Sequence, residues 1–260
     1  MHPNSVERLR NTLTESSVLA IIPARFHSSR LPEKILADLA GRPMIEHVYR
    51  RTTAATLVHA AVVATDDERI ARAVEGFGGA AIMTRTDHVS GTDRIAEVVA
   101  QLPCRLVVNV QGDEPLIEPG TIDAAIAPML ADRSLEMSTL SRPLVGDLEL
   151  QTKSVVKVVT DLQGGALHFS RSPMPGSSAH IGLYVYRRDV LLKLAGLLPA
   201  PLEVLESLEQ LRALSHGIGI RVVATSHASA GVDTPEDLER VRQLMMAPHK
   251  GASPLASSRT

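Results

Sequence analysis

Cys104 is the single cysteine in 260 residues. A lone thiol closes no internal disulfide and builds no multi-cysteine zinc site, which fits a reducing cytoplasm. A large excess of one charge is also missing. Lys and Arg number 27 against 29 Asp and Glu, a formal net charge of −2, so no global field recruits nucleic acid or an anionic membrane. No apolar run approaches the roughly 20 residues needed to cross a bilayer. Residues 1–17, MHPNSVERLRNTLTESS, lack the apolar centre of a signal peptide. Several signatures of chemistry are absent as well: no GxxxxGK[ST], no GxGxxG, no HExxH among the ten histidines and no GxSxG. A zinc site and nucleophilic acyl transfer are therefore disfavoured. The expectation is a cytoplasmic protein without membrane insertion, in which any anion site is local.

What is present is an alternation. Apolar runs at 18–24, 60–65 and 106–110 read as buried parallel strands. Between them lie helical patterns: one opening at Pro43, one at about 68–77, and one from Thr92 in TDRIAEVVAQL. Strands alternating with helices at this spacing imply an α/β sheet with right-handed crossovers. In the second half, VVKVV (155–159), ALHFSR (166–171) and HIGLYVYR (180–187) read as an antiparallel elaboration. Helices are expected at 189–196, 202–214 and 235–246, the second with Leu202, Leu205, Leu208 and Leu211 inward and Glu203, Glu206, Glu209 and Gln210 solvated. We read an N-terminal extension (1–17), a single domain (18–246) and a mobile tail (247–260).

Charge clusters at strand ends. IIPARFHSSRLPEK follows the first strand and carries Arg25, Arg30 and Lys34. In an open α/β sheet ligands sit beyond the strands' carboxyl ends, where these cations could pair with an anion; a solvated basic loop is the plain alternative. VNVQGDEP ends another strand with Gln111, Asp113 and Glu114 around Gly112. Carboxylates there suit magnesium, which binds through one or two protein acids, waters and substrate phosphates, or simply cap a turn. In GVDTPEDLERV, Thr234, Pro235 and Asp237 make a helix start that would account for the stretch by capping, yet Asp233 stands just outside it. Ser90-Gly91-Thr92 precedes a helix and reads as a capped turn or an anion-binding one.

In order along the chain, IIPARFHSSRLPEK, TDD, MTRTDHVSGTDR, VNVQGDEP, VVKVV, FSRSPMP, HIGLYVYR, LESLEQLRAL and GVDTPEDLERV resemble the 3-deoxy-manno-octulosonate (Kdo) cytidylyltransferase family over residues 18–246. The resemblance implies a Rossmann-like (GT-A-like) nucleotidyltransferase with a mixed sheet flanked by helices. It implies transfer of CMP from CTP to Kdo for lipopolysaccharide biosynthesis, with release of pyrophosphate, in a cytoplasmic homodimer. Carried across by position, Arg25, Ser28, Arg30 and Lys34 would hold the triphosphate, and Arg85 and Ser90 the rest of the nucleotide. Asp113 and Asp233 would hold Mg2+ and, with Lys34, form the catalytic set. Gln111, Arg171, His180, Glu209 and Gln210 would face the sugar acid, Arg171 as carboxylate partner.

The chain departs from the family pattern in places. Glu33 stands where Pro-Gly-Lys is usual, placing an acid by the phosphates and a side chain where the backbone calls for glycine. Ala179 replaces an Arg before His180, LQTKS before VVKVV lacks an Asn-Pro pattern, and the segment between Arg171 and His180 is short. Two other functions follow from these departures: CMP transfer to another sugar acid, such as amino-Kdo or a sialic acid, or nucleotide binding without catalysis.

Overall fold

A computed structural model describes residues 5–26, 31–227 and 231–246. The expected tail, 247–260, lies outside the described residues. The first half runs α1 (Ser5–Thr12), β1 (Val18–Ala24), a 3-10 turn (Lys34–Leu36), β2 (Asp38–Leu39), β3 (Arg42–Pro43) and α2 (Met44–Thr53). It continues through β4 (Ala60–Thr65), α3 (Glu68–Gly76), β5 (Ala81–Met83), α4 (Gly91–Val99) and β6 (Leu106–Asn109). Next come α5 (Pro119–Ala131), β7 (Met137–Arg142), α6 (Gly146–Gln151), β8 (Lys157–Thr160), β9 (Ala166–Ser170) and β10 (Ser178–Arg187). The chain ends through α7 (Arg188–Ala195), α8 (Pro201–Glu206), α9 (Gln210–Ser215), β11 (Ile220–Ala224) and α10 (Pro235–Met246).

One sheet takes the order β11-β7-β10-β6-β1-β4-β5, with β8 and β9 branching from β10. Strands β6, β1, β4 and β5 are parallel neighbours, β10 runs antiparallel between β6 and β7, and β11 is parallel to β7. This is the mixed α/β sheet with an antiparallel elaboration that the pattern implied. The continuous apolar run of β1 follows from burial on both faces. Leu19 and Ile21 point into one core with Val98, Val99 and Leu191, while Val18, Ala20 and Ile22 point into the other with Ile45, Val48 and Ile122. Each such side chain contributes roughly 1.5–3 kcal/mol by burial. The 1–17 extension contributes too, since Leu9 and Leu13 of α1 and its sequel join the first core.

A third, smaller cluster sets the position of the site. Leu39 and Met44 pack with Val232, Leu238 and Val241, fastening α10 beneath the segment that carries Lys34.

Three local expectations are corrected. Pro43 is the N-cap of α2 in extended backbone, not its first helical residue. The single helix expected over 202–214 is two, because Ser207 turns left-handed at φ 53 between α8 and α9. That break rotates the register, so Leu202 and Leu205 are exposed while Leu208 and Leu211 stay buried. Glu203 and Gln210 are accordingly not solvated: both are buried, Glu203 pairing with the Arg212 guanidinium at 2.6 Å.

At the carboxyl end of β4, the fully buried Arg94 pairs with Asp66 at 2.7 Å and also donates to Thr84 and to the Arg85 carbonyl. Removing one partner of a buried pair strands the other charge. Arg94→Ala should therefore cost about 3 kcal/mol, read as a lowered urea midpoint. A loss below about 0.5 kcal/mol, the range of ordinary surface changes, would contradict this reading of Asp66.

Candidate active site

β1 and β6 are adjacent and parallel, so their carboxyl ends open onto the same crevice. After β6 the chain passes Gly112, where a Cβ would meet the Pro23 carbonyl oxygen at 3.1 Å and Ile35 Cδ1 at 3.2 Å. A side chain there would push the two loops apart. With glycine they close, and Asp113 comes to the 3-10 turn that carries Lys34. The third partner arrives by a backbone bond, the Val232 N–H donating to the Asp113 carbonyl at 2.9 Å. Lys34 Nζ then donates to Asp113 Oδ2 at 2.6 Å and to Asp233 Oδ1 at 3.1 Å. Burial opposes the charge on Lys34, but the carboxylates outweigh it and its pKa is raised. The ammonium is firmly protonated.

The capping explanation for the 231–241 stretch holds as well. Thr234 Oγ1 accepts from the Asp237 N–H, and Asp237 Oδ2 accepts from the N–H groups of Thr234 and Asp233. Burial opposes ionisation of Asp237, yet these bonds hold its carboxyl below the usual range. Because Asp237 does the capping, the Asp233 carboxylate can turn to Lys34. Cap and site are compatible, not competing.

Glu33 bears out the expectation about backbone. It sits at φ 55, ψ 21, the left-handed region, which costs a side-chain-bearing residue roughly 1–2 kcal/mol. Arg25 is exposed just past β1. Ser28 and Arg30 lie outside the described residues.

Near the Lys34 centre, polar side chains gather at the β6–β10 seam. Gln111 donates from Nε2 to Asn109 Oδ1 at 3.1 Å, and burial pushes the Tyr186 hydroxyl's pKa well up, with Thr92 and Asn109 opposing it. Thr92 Oγ1 donates to Glu209 Oε2 at 2.9 Å. Burial raises the pKa of Glu209, with Ser90, Thr92 and Arg212 opposing it. Its buried Oε1 has no hydrogen-bond partner among the described residues. Such an atom is costly to leave dry, and suits a hydroxyl donor. Gln210 is buried at the start of α9.

His180 lies on β10 just before a bulge opposite β7, where the pairing jumps from Ile181 to Tyr184. Thr139 Oγ1 lies 2.9 Å from His180 Nε2 and 2.8 Å from the Leu183 carbonyl oxygen. The hydroxyl has one proton, which the carbonyl takes; His180 therefore donates from Nε2 and keeps Nδ1 as an acceptor. The ring packs edge-on to Phe169 at 5.0 Å and beside Tyr184 at 5.5 Å. Burial drives its pKa down to about 3. It is neutral in the working range.

Other expected residues take different places. Ser90 caps α4 in a reciprocal box with Asp93. Arg85 is exposed, paired with Asp87 at 3.1 Å, and lines an open cavity of about 620 Å³ with His88, Asp93, Glu97 and Ala195. None of Lys34, Asp113 and Asp233 borders that cavity. Arg171 directs its guanidinium to the carbonyls of Glu206 at 3.0 Å and Lys153 at 3.3 Å, at the end of α8. It is not brought onto the Lys34 centre. Sequence reasoning passed over Asn109, Thr139 and Tyr186, which present only apolar-strand signals until the sheet order is known, and read Thr92 only as part of a turn. Cys104 is buried, its thiol pushed up to about 11, and is no nucleophile.

The sequence profile described as cytidylyltransferase matches residues 19–220. A Geobacter sulfurreducens protein named 3-deoxy-manno-octulosonate cytidylyltransferase is 54% identical over 244 residues, spanning 86% of this chain and 98% of its own. Its namesake in Syntrophotalea carbinolica is 54% identical over 242 residues, 86% of this chain and 97% of its own. The chain belongs to this cytidylyltransferase family. The solved CMP:2-keto-3-deoxy-manno-octonic acid synthetase complexed with CTP superposes with a TM-score of 0.85 at 45% identity, covering 88% of this chain and 98% of its own. A 4-diphosphocytidyl-2C-methyl-D-erythritol synthase from Anaerococcus prevotii shares the fold, with a TM-score of 0.63 at 12% identity over 90% of this chain and 100% of its own.

A pH dependence follows from His180. Its folded pKa is depressed from 6.5 to about 3, so the stability it contributes is complete above pH 6.5 and drains as pH falls towards 3. Between pH values of about 7.5 and about 4.5 the urea midpoint of the wild-type protein should fall further than that of His180→Gln. Equal falls would show that the imidazole is not buried neutral.

Proposed function

We propose that this protein transfers CMP from CTP to Kdo, releasing pyrophosphate. The observation that carries the reading is the meeting of Asp113, Asp233 and Lys34 at the carboxyl end of the β1–β6 pair. In the reaction the anomeric hydroxyl oxygen of the sugar acid bonds to the α-phosphorus of CTP. The bond from that phosphorus to the bridging oxygen breaks, pyrophosphate leaves, and the hydroxyl proton passes to water. Such a reaction asks the protein mainly for positioning and charge stabilisation. No side chain is assigned as general base.

Among the described residues no group of three or more His, Cys, Asp or Glu is placed to hold a metal ion. Two converging carboxylates fit Mg2+ all the same, because this ion completes its shell with waters and substrate phosphates. Asp113 and Asp233 would hold it, and when bound it polarises the reacting phosphate and neutralises developing charge. Lys34, relieved of its carboxylates, would lend its charge to the triphosphate, with Arg25, Ser28 and Arg30 from the same loop. Arg85 and Ser90 are assigned to the nucleotide. On the sugar side, Glu209 Oε1 and His180 Nδ1 would be acceptors for hydroxyls, with Gln111 and Gln210 nearby, while Arg171 would have to leave the carbonyls of Glu206 and Lys153 to meet the sugar carboxylate.

Among the described residues no helix is long and apolar enough to cross a membrane, and the near-neutral charge offers nothing to nucleic acid. We place the enzyme in the cytoplasm as a homodimer in lipopolysaccharide biosynthesis. Individually exposed Leu162, Leu167, Val204 and Leu205 are apolar side chains available to self-association.

Pyrophosphate release with CTP, Mg2+ and a panel of Kdo, amino-Kdo and a sialic acid tests the reading. Turnover should be fastest with Kdo; turnover confined to another acid overturns the substrate. Asp113→Ala should lower kcat on the order of a hundredfold or more while remaining folded. Retained activity with a collapsed melting temperature would make Asp113 a structural acid.

A further inference from the structure

Thr139 lies within β7 and is fully buried. A β-branched residue suits such a strand position, but valine would fill it equally well, and a buried hydroxyl is costly unless it is bonded. What bonds it is the irregular part of β10. Opposite β7 the pairing sets His180 against Ser141 and Ile181 against Leu140, then resumes with Tyr184 against Thr139. Gly182 and Leu183 have no partner on that strand. The bulge turns two carbonyls onto one hydroxyl: Thr139 Oγ1 lies 2.8 Å from the Leu183 oxygen and 3.2 Å from the Ile181 oxygen.

His180 Nε2 is the third group on that oxygen, at 2.9 Å. Carbonyls only accept, so the single hydroxyl proton is committed to them and the imidazole has to donate. Reversing the roles would set the Leu183 oxygen against a bare lone pair. The neutral ring therefore carries its one proton on Nε2. Among the described residues this is the one side-chain hydrogen bond His180 makes, and Nδ1 keeps its lone pair. Phe169, edge-on at 5.0 Å, and Tyr184, at 5.5 Å, flank the ring and limit its turning. The residue is nevertheless only partly buried. Ring orientation, tautomer and a vacant acceptor are thus all set by one hydroxyl from a neighbouring strand.

We propose that Thr139 is a positioning residue for the sugar acid: with its proton held by the bulge carbonyls, it makes His180 a donor at Nε2 and so presents Nδ1 as a fixed acceptor to one substrate hydroxyl. The inference rests on the reading that His180 faces the sugar acid. A site of this kind favours a group with a proton to give and rejects one without. Thr139 itself touches no substrate, so its effect on recognition should vanish when the imidazole is gone.

The test compares Thr139→Val, which keeps the shape and loses the hydroxyl, with Thr139→Ser, which keeps the hydroxyl. Thr139→Ala repeats the loss without a methyl group pressed on the imidazole, should the valine variant fold poorly. Long-range nitrogen–proton correlation spectra of histidine-labelled protein at neutral pH read the tautomer, the His180 signals being those missing from His180→Phe. Wild type and Thr139→Ser should show Nε2–H, and the variants without a hydroxyl a shift towards Nδ1–H. In the pyrophosphate assay the loss of the hydroxyl should raise the KM for Kdo on the order of tenfold, with the KM for CTP within about twofold. Thr139→Ser should stay within about threefold of wild type for both. Added to His180→Phe, Thr139→Val should change the KM for Kdo by less than about twofold. An Nε2–H pattern in every variant would overturn the proposal, as would equal rises in both KM values or an undiminished rise in the His180→Phe background. Should wild-type protein release no pyrophosphate with any sugar acid, the proposed reaction falls, while a tautomer shift confined to the variants without a hydroxyl would uphold Thr139 as the group that orients His180.

Discussion

The contact between Lys34 and the carboxylates of Asp113 and Asp233 ties together segments 79 and 199 residues apart in the chain. Left separate, two acids at that distance would repel; with the ammonium between them they define a point. The surrounding structure makes that point possible. Gly112 lets the β6 loop close on β1, the Val232–Asp113 backbone bond aligns the last loop, and the small apolar cluster around Val232 and Leu238 keeps α10 in place. The charges meet locally, one ammonium between two carboxylates, in a chain whose net charge is only −2.

Next to this point the protein buries polar groups with care. Gln111 bonds Asn109, Thr92 bonds Glu209, and the Thr139 hydroxyl fixes the tautomer of His180 across a bulge. Such networks are stabilising when satisfied and costly when not. Glu209 Oε1 is left without a hydrogen-bond partner among the described residues, with Arg212 Nη2 at 3.9 Å. The neutral imidazole keeps the pocket from carrying a second, pH-dependent charge.

Much of this was legible in the sequence. The apolar runs of β1 and β4 have the bounds that the fold gives them, because strands buried on both faces leave an unbroken signature. Charged residues directly after β1 and β6 marked the crevice, and Glu33 announced its own strain. Other parts were not legible. A leucine period over 202–214 suggested one helix, but the left-handed Ser207 breaks it, and nothing in LESLEQ marks that turn. The strand β10 threads between β6 and β7, so the partners of His180 and Glu209 come from strands and helices distant in sequence. Pairings of that kind depend on sheet order, which local pattern does not encode. The engagement of Arg171 by the α8 carbonyls belongs to the same class.

The central claim is that Asp113 and Asp233 form one cation site that Lys34 guards. A crystal grown with CTP and Mn2+, measured at the manganese edge, addresses it directly. The account predicts an anomalous peak ligated by both carboxylates and a phosphate oxygen, with Lys34 Nζ turned onto the triphosphate. A peak bound elsewhere, with Lys34 still bridging the two aspartates, would contradict it.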